Sequence, residues 1–264
     1  MNDQDTPKHK ETNDDLYAGI ASRYDILFEE EDHTARMSFY EEVLKKYQAN
    51  RVLDCSCGTG KYLTMLAPLG LSLFGSDVSP SMLAVAQENI KRLGLQIPLT
   101  RADFRSLPEH FSEPFDAILC LSTSLPHVGS EDEMIRALSS MYASLTDRGV
   151  LIITHGTSER MMMEQPRFLP VVNNRDLSRV FVIDYHGRGI TFHVLDFIHT
   201  DSTTEFLTWS ATYPFMPLEK DYRRMLEAAG FKDVEAYGGY DFSPYTETSE
   251  FLIVVAGRNR HEES

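Results

Sequence analysis

From residue 39 onward, short apolar runs of strand length alternate with longer stretches whose apolar positions recur at helical spacing. "FYEEVLKKY" (39–47) reads as a helix, "RVLDCS" as a strand, and "KYLTMLAPLG" as a short helix closed by Gly70. "LSLFGSD" (71–77) is a second strand. "SPSMLAVAQENIKRLG" carries both helix-end signals: Ser79 as N-cap with Pro80 in the first turn, and Gly94 just past the end. "PLTRAD" (98–103) and "FDAILCL" (115–121) are strands. The helix after them opens with Ser130 and Glu133 at capping-box spacing, and "GVLIITH" is the fifth strand. Strands alternating with helices predict a mostly parallel α/β sheet.

The last third changes period. "RVFVIDY", "GITFHVLDFIHT" and "EFLTWSATYPF" are strand-like with few helical signals between them, and "HGRG" is a turn. This predicts an antiparallel β insert after strand five, at about 165–215. The α/β pattern resumes in "LEKDYRRMLEAAG", "KDVEAYG" and "SEFLIVVAG". Polar ends at 1–15 and 258–264 read as a disordered lead and a tail, leaving one domain over 16–257 that includes the insert as a substrate-side subdomain.

Composition narrows the classes. The chain has 264 residues, 42% of them apolar, enough for a sizeable core. A net charge of −15 with no basic stripe argues against nucleic acid or anionic membrane as partner. No apolar run has membrane-spanning length, and the polar N-terminus lacks the core of a signal peptide. Three cysteines cannot form an even disulfide framework, so reduced thiols and a cytoplasmic location are expected. A monomer or homodimer is expected.

Ligands of open α/β sheets bind at the carboxyl ends of the strands. Strand one ends in Asp54 and a loop of small residues, strand two in Asp77, strand three in Asp103, and strand four in "LSTSLPH". Small residues let backbone approach a ligand closely. A carboxylate at the end of strand two suits a ribose diol, and Asp103 can accept from an adenine amino group. Asp54 would repel a pyrophosphate and attract an ammonium group. S-adenosyl-L-methionine has the ribose, the adenine, the ammonium and no phosphate. Cys55 and Cys57 could instead form a metal clip or a redox pair, but two thiols supply only half of a zinc site. Small loop filler is the simpler role.

The ordered set "VLDCSCGTG", "GSDVSPSML", "ADF" and "FDAILC" resembles the class I S-adenosylmethionine-dependent methyltransferases over about residues 15–155, with the final helix and two strands also fitting. "CGTG" followed by "CLSTSLPH" is most similar to glycine N-methyltransferases and amino-sugar N,N-dimethyltransferases. The resemblance implies a Rossmann-like sheet whose last strand is antiparallel. It implies cofactor contacts at Tyr17, Tyr24, Arg36, Asp54, Ser56, Gly58, Gly60, Asp77, Val78, Met82, Asp103, Phe104 and Leu121. Where glycine N-methyltransferases hold substrate with an Asn and an Arg, this chain has Thr123 and Gly156, which argues against glycine as the acceptor.

His127 points toward the reaction zone and is the candidate general base if the nucleophile is a hydroxyl. Thr123, His127, Tyr213 and Tyr240 are the candidate substrate residues. The expected activity is methyl transfer to a small molecule, an amine before a hydroxyl, with no metal. The alternatives are a small-molecule O-methyltransferase, a non-catalytic S-adenosylmethionine-binding domain, and a nicotinamide-dependent oxidoreductase. His155, His186, His193 and His199 either decorate the surface of the insert or line the pocket, the "EEEDH" run (29–33) reads as a solvated charge run, and the "RMMM" run (160–163) as packing of the insert onto the body.

Overall fold

The computed structural model describes residues 33–259. Tyr17 and Tyr24 lie outside the described residues. Helix α1 (His33–Lys46) precedes β1 (Arg51–Asp54), α2 (Lys61–Leu66), β2 (Ser72–Asp77), α3 (Pro80–Arg92) and β3 (Leu99–Arg101). Next come β4 (Phe115–Cys120), α4 (Glu131–Ala143), β5 (Leu145–His155) and α5 (Glu159–Glu164). Strands β6 (Phe168–Asn173), β7 (Leu177–His186), β8 (Gly189–His199) and β9 (Thr204–Tyr213) follow, then α6 (Glu219–Ala229), β10 (Asp233–Tyr237) and β11 (Leu252–Gly257).

Seven strands form one sheet in the order β10-β11-β5-β4-β1-β2-β3. The five central and distal strands β5, β4, β1, β2 and β3 are mutually parallel, while β11 runs antiparallel between β5 and β10. Alternate residues of the buried strands feed two cores. Leu53, Ile118, Leu151 and Val254 face α4 and α6, and Val52, Leu119, Ile152 and Val255 face α1, α2 and α3. A strand covered on both faces reads as an unbroken apolar run, which is why periodicity alone locates these strands.

The helix ends form as the sequence predicts. Ser79 Oγ accepts from the Met82 N–H at 3.4 Å, and α3 buries Met82, Ala86 and Ile90. Ser130 Oγ accepts from Glu133 N–H at 3.3 Å. The segment "LTDRG" (145–149) lies just ahead of the expected fifth strand. It belongs to β5, where Leu145 pairs with Phe115 before a register shift, so this strand starts four residues earlier than "GVLIITH".

The second sheet is antiparallel in the order β6-β7-β8-β9. It has four strands rather than three, and "FLPVVN" and "ERMMME" both form elements that the sequence pattern misses. Strand β6 is an edge strand broken by a bulge, so its alternation is lost. Met161 and Met162 pack against the apolar cluster of Ile183, Ile190 and Tyr213, as expected for the methionine run, while Met163 is exposed. A buried bidentate pair, Arg179 to Asp196 at 2.5 Å on both arms, ties β7 to β8.

Candidate functional site

A cavity of about 350 Å³ opens at the carboxyl ends of β1, β2, β3 and β4. Its floor is the small-residue loop after β1. Two glycines shape that loop, Gly58 at φ 51° and Gly60 at φ 78°, in the left-handed region that favours glycine. Gly60 then packs on α3, where an added Cβ would stand 3.3 Å from Ala86 Cβ. Gly60 therefore caps α2 and sits outside the cavity lining, whereas Ser56 and Gly58 are in it.

Asp77 pins the loop. Its Oδ2 accepts from Gly58 N–H and its Oδ1 from Ser79 N–H, both at 2.9 Å. A carboxylate has about four acceptor sites, so backbone donors and ligand hydroxyls can share one such group. Val78 and Met82 line the cavity beside it, with Phe104 and Leu121 on the walls.

Asp54 lies beneath the loop, 1% exposed, and is not in the lining. Its Oδ1 accepts from Ser56 N–H at 3.2 Å. Its Oδ2 and the Ser56 hydroxyl are buried without partners among the described residues. Burial pushes the Asp54 carboxyl up to about 7, with Asp77 adding to the effect. A buried acid in this state favours a cation nearby.

Asp103 lines the cavity, but its carboxylate is committed. Arg105 holds both oxygens through Nε at 3.0 Å, through Nη2, and through its backbone N–H at 2.9 Å. Partial burial works to raise this carboxyl, and the Arg105 bonds overcome it and hold it below the usual range. Arg105, unforeseen in the sequence, is the partner of the carboxylate expected to accept from an adenine amino group.

The other rim is built from the end of β4. Ser122 and Thr123 both stand in the left-handed region, at φ 57° and φ 62°. Such residues are strained and persist only when braced. The brace comes from β5: Thr154 Oγ1 accepts from Ser122 N–H at 2.8 Å and the Thr154 carbonyl from Thr123 N–H at 3.0 Å. Thr123 Oγ1 accepts from Gly156 N–H at 2.9 Å. Thr123 is absent from the cavity lining, so its hydroxyl ties β4 to β5, and its neighbours Ser122 and Ser124 face the cavity instead.

His127 lines the cavity, and its Nε2 lies 3.2 Å from the Tyr213 hydroxyl at the end of β9. Burial pushes this imidazole down to about 4, so it is neutral near pH 7. Tyr213 is buried behind it and does not line the cavity. Arg36 is not in the lining either. Its Nη1 donates to the Tyr62 hydroxyl at 2.9 Å, and its guanidinium stacks on Tyr240 at 4.9 Å. Tyr62, which does line the cavity, also accepts from Ser122 Oγ at 3.4 Å. Tyr240 packs against Phe39 and Tyr40 and is not in the cavity lining. The position of Tyr62 in the first turn of α2, right after the loop, is the signal that would have found it.

Cys55, Cys57 and Cys120 are buried thiols, and burial holds Cys55 and Cys57 well above the usual thiol range. Among the described residues no group of three or more His, Cys, Asp or Glu side chains is placed to hold a metal ion. None of the helices among them is long and apolar enough to cross a membrane.

Known proteins share this arrangement. Residues 52–149 match the family described as a methyltransferase domain. A glycine/sarcosine N-methyltransferase of Parasynechococcus marenigrum is 34% identical over 84% of this chain and 76% of its own length. The chain belongs to the class I S-adenosylmethionine-dependent methyltransferases. A second glycine/sarcosine N-methyltransferase, of Halorhodospira halochloris, is 28% identical over 93% of this chain and 89% of its own length. An S-adenosylmethionine-dependent methyltransferase structure from Clostridium acetobutylicum superposes with a TM-score of 0.78 at 17% identity, covering 91% of this chain and 98% of that one. The cosubstrate of this methyltransferase is S-adenosylmethionine.

The donor-side residues suit that group on their own chemistry. A buried carboxyl with an unpartnered oxygen fits an ammonium, and a carboxylate in the cavity lining, anchored through Gly58 N–H, fits a diol. The pyrophosphate of a nicotinamide cofactor would meet Asp54 and Asp77 under and beside the loop.

Proposed function

We propose that this methyltransferase transfers a methyl group to the nitrogen of a small amine. The observation that carries the choice of nitrogen is the buried His127, neutral near pH 7 because its imidazole is pushed down to about 4. An alcohol must lose its proton in the reaction, and a base this weak gives little help. An amine that enters neutral needs no such base. The relatives named glycine/sarcosine N-methyltransferase support the same reading.

In this reading Asp77 holds the ribose hydroxyls, Ser56 and Gly58 offer the loop backbone, and Val78, Met82 and Phe104 bracket the adenine. Asp54 balances the ammonium from below. When bound, S-adenosylmethionine supplies a methyl group activated on a sulfonium. The chain's own residues position the acceptor: Ser122, Ser124 and His127 present hydroxyl and imidazole groups to its N–H, and Leu121 and Val128 exclude water beside them. Most of the acceleration then comes from alignment and desolvation. The β6–β9 sheet stands on the acceptor side, a placement supported by the Tyr213–His127 bond that joins β9 to the cavity rim.

Glycine itself fits less well than a bulkier amine. Gly156, just past the end of β5, has no side chain and so supplies no cation for a carboxylate at that position. Labelled methyl transfer should be assayed with glycine, sarcosine, amino sugars and hydroxylated analogues without nitrogen, and the product methyl located by mass spectrometry. Methyl on nitrogen supports the reading. Transfer only to oxygen, or binding without transfer to any compound, overturns it.

A further inference from the structure

Two unsatisfied oxygens sit one loop residue apart at the foot of the donor cavity: Asp54 Oδ2, beneath the floor, and Ser56 Oγ, in it. Asp54 is 1% exposed and keeps a single hydrogen bond, from Ser56 N–H. An ionised carboxylate so enclosed lacks the two or three donors that usually hold one in place. Among the described residues, the groups that act on it add no positive charge. Asp77 stands on β2, the thiols of Cys55 and Cys57 flank it in the loop, and Cys120 of β4 lies behind Cys55. An enclosed acid among acids and thiols gains by carrying a proton until a cation arrives.

We propose that Asp54 is a specificity-determining residue that holds a proton in the ligand-free enzyme at and below neutral pH, in part of the molecules at pH 7 and in nearly all below it, and releases that proton to solvent when a ligand bearing an ammonium group enters the cavity. The inference rests on the assignment of this cavity to the methyl donor. The step balances simply: the ligand brings its ammonium unchanged, one proton leaves the carboxyl, and the resulting carboxylate faces the cation across the loop. Ligands of the same adenosine shape but without the ammonium leave the proton in place. The enzyme thereby separates amino-acid-bearing adenosine compounds from plain nucleosides without touching the difference through a surface side chain.

Burial pushes the carboxyl up to about 7, and the sign of the pH dependence follows. Below that pH the acid is protonated and the incoming cation must displace the proton. Affinity for an ammonium-bearing ligand therefore falls as pH falls, by about tenfold per pH unit well below 7.

Titration calorimetry of S-adenosylhomocysteine into the full chain, in two buffers of different ionisation enthalpy, reads the proton count directly. At pH 7 about half a proton should leave per ligand bound, and at pH 6, where the ligand's amine is fully an ammonium, about nine-tenths. The probe 5′-methylthioadenosine, which lacks the ammonium, should bind with no proton release. Asp54→Asn should bind S-adenosylhomocysteine more weakly, release no proton and lose the pH dependence. Release that is absent in the wild type, undiminished in Asp54→Asn, or equal for both probes overturns the proposal while leaving the cavity assignment intact. A wild-type protein that binds neither probe overturns the cavity assignment and the proposal with it.

Discussion

The two rims of the cavity are built in opposite ways. On the rim proposed for the donor, a carboxylate at the end of β2 holds the loop after β1 through one backbone bond, so the parts come from neighbouring strands and a short span of chain. On the rim proposed for the acceptor, strained residues after β4 are braced from β5, a histidine beyond them meets a tyrosine from β9, and Tyr62 of α2 carries Arg36 of α1. The first rim is a local device and the second is a convergence of distant segments. The donor rim also tolerates unsatisfied groups, while the hydroxyls and backbone donors of the acceptor turn are largely paired. A site that awaits a fixed ligand can keep its complement unmet; a rim that must hold a strained backbone cannot.

The comparison predicts separable effects. The largest is expected at Asp77. Asp77→Ala removes the ribose acceptor and the anchor of Gly58 and Ser79 together. Two charge-assisted bonds make this worth about 4 kcal/mol, a loss near a thousandfold in S-adenosylhomocysteine affinity by calorimetry. An affinity within threefold of wild type would break the donor-rim assignment.

Asp54→Asn should separate stability from binding. A carboxyl whose folded value is raised favours the fold below its unfolded value of 3.8, and that contribution is lost as pH rises through about 7. At pH 8 the wild type therefore carries a penalty of about 2–4 kcal/mol. Asp54→Asn should remove it and raise the ligand-free unfolding midpoint in urea at pH 8, with little change at pH 4. A variant less stable than wild type at pH 8 would show that the ionised group is satisfied in the fold.

Smaller effects belong to the acceptor rim. Thr123→Val deletes the acceptor of Gly156 N–H and puts another β-branched residue at a positive φ. A loss of about 1–2 kcal/mol in stability and a fall in turnover of about tenfold are expected, with S-adenosylhomocysteine affinity kept. Loss of donor affinity in this variant would mean that the rims are coupled. Tyr213→Phe removes one bond to His127, worth about 1 kcal/mol, and should raise the Michaelis constant of the amine a few-fold without moving donor affinity.

The same contrast explains what could be read without coordinates. The parallel sheet was legible because β1, β4 and β5 are covered on both faces and stand out as apolar runs, and because Ser79, Pro80 and Gly94 mark the ends of α3. Edge strand β6 was not, since a bulge and exposed positions erase its period. Of the site, the loop and the strand-end acids were visible as consecutive letters. The engagement of Asp103 by Arg105, the withdrawal of Arg36 behind Tyr62 and the outward turn of Thr123 were not. Each depends on which of two close side chains claims a partner first, and residue type does not reveal that.

The central claim is that the acids ending β1 and β2 hold the methyl donor and leave the end of β4 to the amine. A crystal structure with S-adenosylhomocysteine bound tests it most directly. The account predicts the ribose hydroxyls on Asp77, the homocysteine ammonium over the loop above Asp54, and the sulfur turned toward Leu121 and Ser122. A ligand lying with its ribose against the β4 rim, or outside the loop altogether, would contradict it.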